Sequence, residues 1–276
     1  MPSGSDLHTR RVALVTGAAK RLGRAISLGL ADRGWDIAVH YRHSKADAEE
    51  TVRAIRTLGR KALVFEADLA DEEQTVALVA RCRELFGTPT CLVNNASQFD
   101  FDDAESFSYR SLESQMRVNL AAPVLLAREI HRLMRESARA GEKSENATPL
   151  ARGVVVNLLD QKLFNYNPDF LSYTLSKAAL HAATTMLAQA LAPEVRVVGV
   201  APGITLPSGE QSASGFEQAH RATPLGRSSD PEDVANAVCF AVESPAITGT
   251  TIVVDGGQHL APAARDVMFL ARQLQE

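Results

Sequence analysis

Residues 12–33, with the sequence VALVTGAAKRLGRAISLGLADR, decide the fold, because an aliphatic run leads through a glycine turn into a helical pattern. Residues 12–15 predict a buried strand, and residues 21–33 predict the helix that follows it. A glycine turn at this junction lets the backbone approach a phosphate group at the helix N-terminus. Gly17 permits the turn and Gly23 permits close packing of the helix on the strand, but Arg21 replaces the usual middle glycine. The pattern G-x-G-x-x-G is therefore not met, and an ordinary tight turn before a helix is the alternative. The candidate phosphate-binding residues are Gly17, Lys20, Arg21, Leu22 and Gly23.

The same strand–helix alternation continues along the whole chain. It predicts an α/β fold, a single doubly wound Rossmann-type domain over residues 1–276, with a seven-stranded parallel sheet and helices on both faces. The other strands are predicted at 37–40, 62–65, 91–93, 154–158, 195–200 and 251–254, and the other helices at 45–58, 71–86, 111–136, 170–191 and 231–242, with Asp71 and Asp230 as N-caps. Residues 1–10 are read as a polar tail, 138–152 as a surface loop, and 202–223 as an irregular loop that covers a ligand beyond the sixth strand.

Composition narrows the class of protein. The chain has 276 residues, 45% of them hydrophobic, and a net charge of −4, which is typical of a globular protein and gives no general attraction to nucleic acid or membranes. We expect neither a signal peptide nor a transmembrane helix, and hence a cytoplasmic protein. Cys82, Cys91 and Cys239 are far apart in the sequence. They predict buried thiols rather than a metal site or a disulfide framework.

The end of the second strand bears on cofactor choice. No acidic residue precedes Asp47 there, whereas an acid at this point would bind a ribose 2′-hydroxyl and favour NAD. A cationic and hydroxyl-lined pocket would instead accept a 2′-phosphate, so the sequence predicts NADP, supplied as NADPH, with a solvated polar turn as the alternative. This pocket would consist of Lys20, Arg42, His43 and Ser44, and His40 and Tyr41 are assigned to cofactor binding as well.

A tyrosine and a lysine four residues apart, Tyr173 and Lys177, lie on one face of a predicted helix. An ammonium group beside a phenol favours the phenolate and lowers the pKa of the phenol, so that it exchanges protons near neutral pH. On spacing alone this pair is a weak signal, since most such pairs are ordinary surface residues.

The motifs taken together resemble the short-chain dehydrogenases/reductases. TGAAKRLG at 16–23, NNA at 94–96, Asn119, the Tyr173–Lys177 pair and Pro202-Gly203 follow that family's order and spacing. The resemblance covers about residues 10–260 and implies a catalytic set of Tyr173, Lys177 and Asn119. Lys177 would lower the pKa of the tyrosine and bind the nicotinamide ribose, and Asn119 would hold a water that links Lys177 to solvent. The remaining cofactor positions that it implies are Asp68, Leu69, Asn95, Ala96, Ser97, Pro202 and Gly203, with Asn95 and Asp68 on the adenosine side.

Two departures from the general family pattern point to a subgroup. Asp160 stands thirteen residues before the tyrosine, where the family usually has serine, and Ser97 follows the NNA motif with Phe99 two residues on. Both features, with Arg21, resemble the pteridine reductases. A carboxyl group can accept from the N–H groups of a pterin or, when protonated, donate to a ring nitrogen, and Phe99 offers a flat face on which a bicyclic ring stacks. The resemblance implies a pterin-like substrate bound by Arg21, Ser97, Phe99, Asp160 and Tyr173.

Two alternatives stay open at this point. The chain could be a carbonyl or 3-oxoacyl reductase of the same family in which Asp160 does the work of the serine. It could also be a non-catalytic NADP-binding regulator in which Asp160 marks lost activity, although a binder has no need of Tyr173, Lys177 and Asn119 together. A homotetramer is implied by the family resemblance only.

Overall fold

The computed structural model describes residues 11–141, 153–207, 213–267 and 269. Its strands are β1 Val12–Val15, β2 Asp36–Tyr41, β3 Ala62–Glu66, β4 Cys91–Asn94, β5 Gly153–Leu158, β6 Val195–Pro202 and β7 Thr251–Val254. Its α-helices are α1 Arg21–Asp32, α2 Lys45–Thr57, α3 Glu72–Leu85, α4 Tyr109–Met116, α5 Ala122–Gly141, α6 Leu171–Ala190, α7 Ala213–Arg221 and α8 Pro231–Glu243. A π-helical turn spans Arg117–Ala121, and short 3-10 turns span Gln161–Phe164 and Gln258–Leu260.

The strands form one parallel seven-stranded sheet in the order β3-β2-β1-β4-β5-β6-β7, which confirms the predicted fold. Because side chains alternate along a strand, the aliphatic strands bury both faces. Ala13 and Val15 of β1 pack in one core with α1, α2 and α8. Val12 and Leu14 pack in the other core with residues of α3, α5 and α6. The strand order reverses between β1 and β4, and ligands bind beyond the carboxyl ends of the strands at such a point.

Local signals of the sequence explain the helix starts. Asp71 caps α3 by accepting from Gln74 N, and Asp230 caps α8 by accepting from Glu232 N and Asp233 N, as predicted. The three cysteines are buried, also as predicted. No described helix combines the length and apolar character that a bilayer span requires.

The predicted long helix 111–136 is wrong in one respect, because a π-helical turn divides it at Arg117–Ala121. Pro123 lacks an N–H group, so the carbonyl of Asn119 has no α-helical donor four residues further on. The side chain of Asn119 is also held from outside the helix, by Gln98 and Ser176. Hydrophobic periodicity does not register the turn, because the chain is helical on both sides of it.

Two predicted loops contain helix. The segment 138–152 begins within α5, which continues to Gly141 because alanine and arginine are good helix formers; residues 142–152 lie outside the described part. The segment 202–223 contains α7, Ala213–Arg221, a helix of nine residues. Helices this short owe their stability to packing rather than to intrinsic propensity. His220 of α7 contacts the Ser229 carbonyl at 3.1 Å, a tertiary contact that the sequence pattern does not reveal.

Two glycines of α1 provide a matched test of this packing. A Cβ atom at Gly23 would collide with the carbonyl oxygen of Gly17 and lie 2.6 Å from Asn95 Nδ2, whereas one at Gly29 would meet nothing closer than 3.4 Å. We expect Gly23→Ala to lower the free energy of unfolding by about 2 kcal/mol through overpacking. Gly29→Ala should be neutral or stabilising by up to about 1 kcal/mol, since alanine is the better helix former. Urea unfolding of both variants measures this, and equal stabilities would contradict the packing role of Gly23.

Candidate active site

Three cavities meet along the carboxyl edge of the sheet. The basic cavity is lined by residues that include Lys20, Arg42, His43 and Ser44. The central cavity is lined by Arg21, Asn95, Tyr173 and Lys177 among others. The outer cavity contains Asp160, Lys162 and Asp266 in its wall. Ser97 and Phe99 line both the basic and the central cavity, and Phe99, Asp160 and Tyr173 line both the central and the outer cavity. The arrangement is one continuous trough.

The glycine turn is fixed by side chains from neighbouring strands. Gly17 has φ +61°, a conformation that favours glycine. Its N–H donates to Nδ1 of His40 at 3.0 Å, while the carbonyl oxygens of Thr16 and Gly17 accept from Asn95 Nδ2. The other ring nitrogen of His40 is 3.1 Å from Ala67 O. Burial lowers the pKa of His40 to about 4, so the ring is neutral near pH 7. His40 therefore holds the turn and adds no positive charge to the basic cavity.

The basic cavity has its exposed charges at one end. Arg42 lies 3.7 Å from Asp68, and both side chains are substantially exposed, so the guanidinium is accessible to an anion. Tyr41 lines the same cavity, but its hydroxyl donates to Glu66 Oε2 at 3.0 Å. Leu69 and Ala96 complete the predicted set on this side. Asn95, which the family resemblance assigns with Asp68 to the adenosine side, lines the central cavity together with Leu22, Pro202 and Gly203.

Asn119 projects from the π-helical turn towards the loop after β4. Its Oδ1 accepts from Ser97 Oγ at 3.1 Å and from Gln98 N at 2.8 Å, and its Nδ2 donates to Gln98 O and Ser176 Oγ, both at 2.9 Å. An amide group offers two donor hydrogens, and both are engaged in protein contacts. The side chain therefore ties the loop to α6. A water relayed to Lys177 would have to use the backbone of Asn119 rather than its amide hydrogens.

Tyr173, Asp160 and Lys177 meet where the central and outer cavities join. The Tyr173 hydroxyl donates to Asp160 Oδ2 at 2.8 Å. Lys177 Nζ donates to Leu158 O at 2.7 Å and lies 5.8 Å from the centroid of the Tyr173 ring. Tyr173 and Lys177 are 7% and 3% exposed, so their interaction is screened by little water.

The pKa of Tyr173 is shifted in the direction opposite to the one predicted. Burial raises it well above the ordinary value, and the charge of Asp160 and the hydrogen bond to it raise it further. Burial also raises the pKa of Asp160 and lowers the pKa of Lys177 to about 8. The four-residue spacing of Tyr173 and Lys177 places both on one helix, but it does not reveal the carboxyl group that contacts the phenol. Tyr173 is thus a protonated donor at neutral pH.

An aromatic platform borders this proton donor. Phe99 stacks on Phe170 with a centroid distance of 4.2 Å and contacts the Tyr173 ring edge-on at 4.6 Å. Its side chain remains 40% exposed at the trough. One face of Phe99 is therefore packed, and the remaining surface is available to a flat ligand.

Arg21 closes the trough on the side of the glycine turn. It begins α1 with φ +53° and its guanidinium donates to Pro207 O at 2.8 Å, in the segment after β6. Arg21 and the residues Thr205 and Leu206 together line the central cavity. The predicted substrate loop and the first βα turn are thus connected directly by one exposed cation.

Asp102 was missed by the sequence analysis, although it fixes the start of the helix that carries Tyr173. The residue before α6, Phe170, has φ +55° and supplies no side-chain cap. Asp102 supplies it instead: its Oδ1 accepts from Ser172 N at 2.8 Å, and its Oδ2 accepts from the hydroxyls of Ser172 and Ser111. The capping residue is 70 positions from Ser172, so no local pattern identifies it.

The C-terminal side of the outer cavity was also not anticipated. Lys162, Asp266 and Val267 line it, and the sequence offers no motif that links them. Within the described residues no group of three or more His, Cys, Asp or Glu side chains could hold a metal ion.

Comparison with known proteins adds a family to this geometry. A family model described as "Enoyl-(Acyl carrier protein) reductase" matches residues 17–259. An uncharacterised oxidoreductase of Methylorubrum extorquens is 34% identical, over 90% of this chain and 97% of the relative. A 3-oxoacyl-[acyl-carrier-protein] reductase of Staphylococcus aureus is 29% identical, over 90% of this chain and 98% of that protein.

Solved structures are similar over the same length. FolM alternative dihydrofolate reductase 1 from Brucella canis, complexed with NADP, has a TM-score of 0.79 and 37% identity, covering 91% of this chain and 95% of that one. The corresponding Brucella suis protein, also with NADP, has a TM-score of 0.79 and 36% identity, covering 93% and 98%. With the parallel sheet, the glycine turn and the Tyr173–Lys177 pair, these similarities show that the chain belongs to the short-chain dehydrogenase/reductase family of oxidoreductases.

Proposed function

We propose that this protein is an NADPH-dependent reductase that reduces the C=N bond of a dihydropterin. The observation that carries the proposal is the Asp160 carboxyl group 2.8 Å from the Tyr173 hydroxyl, at the position where the family usually has serine. A serine hydroxyl suits a ketone oxygen, whereas a carboxyl group suits the ring nitrogens and N–H groups of a pterin. The similarity to two FolM alternative dihydrofolate reductases supports the same substrate class.

The trough fits a nicotinamide dinucleotide by its shape and its charge. A Cβ atom at Gly17 would lie 3.0 Å from Ala96 Cα, so glycine lets the turn pack closely against the loop after β4. Lys20, Arg42 and Ser44 would hold the 2′-phosphate in the basic cavity, and Lys177 would hold the nicotinamide ribose. NADPH, when bound, supplies a hydride from C4 of the nicotinamide. Both FolM structures are NADP complexes, which supports this choice of cofactor.

The protein residues would complete the reduction by moving a proton. As the hydride adds to the carbon of the C=N bond, Tyr173 gives its phenolic proton to the nitrogen, and the N–H bond forms as the O–H bond breaks. The raised pKa keeps this proton on Tyr173 until the nitrogen becomes basic. Lys177 would stabilise the resulting tyrosinate, and Asp160 would orient the phenol and the ring nitrogen. Phe99 would stack on the pterin, and Arg21 and Ser97 would bind its polar edge.

A 3-oxoacyl or carbonyl reductase is the second candidate, favoured by the similarity to the Staphylococcus aureus enzyme. In that case Asp160 would orient a ketone oxygen. Assembly as a homotetramer, a cytoplasmic location and the single domain over residues 1–276 stay predictions.

Variants of Asp160 test its role in the proposed reaction, and a panel of substrates separates the two candidate functions. With a dihydropterin, Asp160→Ala and Asp160→Ser should each lower kcat at least about 100-fold, since Asp160 orients the phenol whose proton transfer contributes a factor of this size. The Kd of NADPH should stay within twofold, because Asp160 is not among the residues that line the basic cavity. The measurement is NADPH oxidation against dihydropterins, ketones and a 3-oxoacyl thioester. Turnover of the thioester but of no dihydropterin by the unchanged protein would establish the second candidate.

Cofactor choice is tested at Arg42. Arg42→Asp should lower kcat/KM for NADPH about 30-fold, the loss expected for one charge-assisted contact to phosphate of about 2 kcal/mol. It should leave kcat/KM for NADH unchanged or improved. Arg53→Asp, on the exposed face of α2, is the matched control for the change in net charge. An equal loss with both cofactors would show that Arg42 does not bind the 2′-phosphate.

The pH dependence of kcat/KM should reflect the protonation state of Lys177. Because burial lowers its pKa to about 8, the ammonium is present below that pH and is lost as the pH rises through it. We expect kcat/KM to fall above pH 8, while the raised pKa of Tyr173 keeps the phenol protonated over the same range. Lys177→Arg retains its charge at this pH, so its residual activity should not decline near pH 8. A wild-type profile that is flat from pH 7 to pH 10 would contradict the assignment.

A further inference from the structure

The outer cavity is lined both by the Tyr173–Asp160 pair and by part of the C-terminal segment, residues 261–267. Ala261, Pro262, Asp266 and Val267 of this segment line the cavity. In the proposed function the reacting bond lies beside Tyr173, and Arg21 and Ser97 bind the polar edge of the ring. The substituent of the pterin would then enter the outer cavity and meet the C-terminal segment.

The segment is fastened by contacts outside the cavity lining. Arg265 Nη2 lies 2.8 Å from Asp169 Oδ1, and the backbone N–H of Asp266 donates to Asp169 Oδ2 at 2.6 Å. Phe269 packs against Phe170 with a centroid distance of 6.2 Å. The Asp169 side chain is only 3% exposed, whereas the Arg265 side chain is 43% exposed, so the pair lies at the edge of the buried region. The position of the Asp266 backbone is therefore set by Asp169.

A second ion pair lies in the cavity wall itself. Lys162 Nζ lies 3.2 Å from Asp266 Oδ2 and donates to Asp169 O at 2.5 Å, and the side chains of Lys162 and Asp266 are only 4% and 16% exposed. The backbone N–H of Lys162 donates to Asp160 Oδ1 at 2.8 Å. One 3-10 turn thus connects the candidate catalytic carboxyl group to the cation that holds Asp266.

A buried ion pair is a poor way to fasten a chain segment. Removing two charges from water costs several kcal/mol per ion, and apolar residues of similar size often do as well. The segment is already fastened by Arg265 and Phe269. The Lys162–Asp266 pair is therefore not needed to fasten the segment. Both residues line the outer cavity together with Asp160 and Tyr173, which points to a role in binding a ligand there.

We propose that Asp266, held in place by Lys162, is a specificity-determining residue that accepts hydrogen bonds from hydroxyl groups on the substituent of the substrate. The proposal rests on the proposed function. Asp266 would select a hydroxylated substituent over an apolar one, because its carboxylate oxygens can accept from a hydroxyl group in addition to Lys162. An apolar substituent would remove water from the carboxylate and offer no hydrogen bond in return. The charge of Asp266 also contributes, after burial and other contacts, to the raised pKa values of Asp160 and Tyr173, so the two sites are close enough to interact.

The test compares two 7,8-dihydropterins, one with a 6-trihydroxypropyl group and one with a 6-methyl group. Asp266→Asn should raise KM for the hydroxylated substrate about 10-fold and change KM for the methyl substrate less than twofold. The Kd of NADPH, measured by fluorescence, should not change. Glu73→Gln, in the exposed first turn of α3, is the matched control for removal of one negative charge.

A second variant protects the test against loss of folding. Replacing the whole pair, Lys162→Met with Asp266→Leu, leaves no unpaired buried charge and should produce the same selective rise in KM. Equal changes of KM for both substrates in both variants would overturn the proposal and leave the proposed function standing. If the unchanged protein reduces neither dihydropterin, the proposed function fails, and this proposal fails with it.

Discussion

The buried hydrogen bond between Tyr173 and Asp160 is the interaction on which the rest of the site depends. The two groups lie 2.8 Å apart, and burial raises the pKa of both. Asp160 raises the pKa of Tyr173 further, whereas the hydrogen bond from Tyr173 favours the ionised carboxylate of Asp160. The fold serves to hold this pair rigidly. Asp160 lies two residues beyond the end of β5, and Tyr173 lies in the first turn of α6. Asp102 caps α6 by accepting from Ser172, the residue before the tyrosine. Lys177, one turn further on, provides the only ammonium group that lines the central cavity in the described part of the chain.

Much of the fold follows from the sequence, because it depends on signals that are local. A few neighbouring residues are enough to predict aliphatic strands such as β1 and N-caps such as Asp71 and Asp230. The π-helical turn at Asn119 and the helix α7 are not, because tertiary contacts made by Gln98, Ser176 and His220 favour them. The principle is general: a pattern predicts an element where the element's own residues stabilise it.

The candidate site also has features that local sequence predicts and features that depend on distant contacts or burial. The residues of the trough are read from motif order, since parallel strands bring their carboxyl ends to one edge. Motif order does not predict the charge states of these residues, because burial decides them. His40 is neutral and holds the glycine turn, and Tyr173 is a protonated phenol. Asp102 and Asp266 were missed because their partners, Ser172 and Lys162, are 70 and 104 positions away in the chain. Contacts at such separations leave no spacing to recognise.

The proposed function is tested most directly by tracing the transferred hydride with deuterium. The protein is mixed with a dihydropterin and NADPH that carries deuterium at both C4 positions, and the products are analysed by mass spectrometry. If the proposed function is correct, the tetrahydropterin carries one deuterium atom, bound to carbon, and one equivalent of NADP forms per deuterium transferred. A pterin recovered without deuterium, beside a 3-hydroxyacyl product that carries it when a 3-oxoacyl thioester is added, would contradict the proposed function.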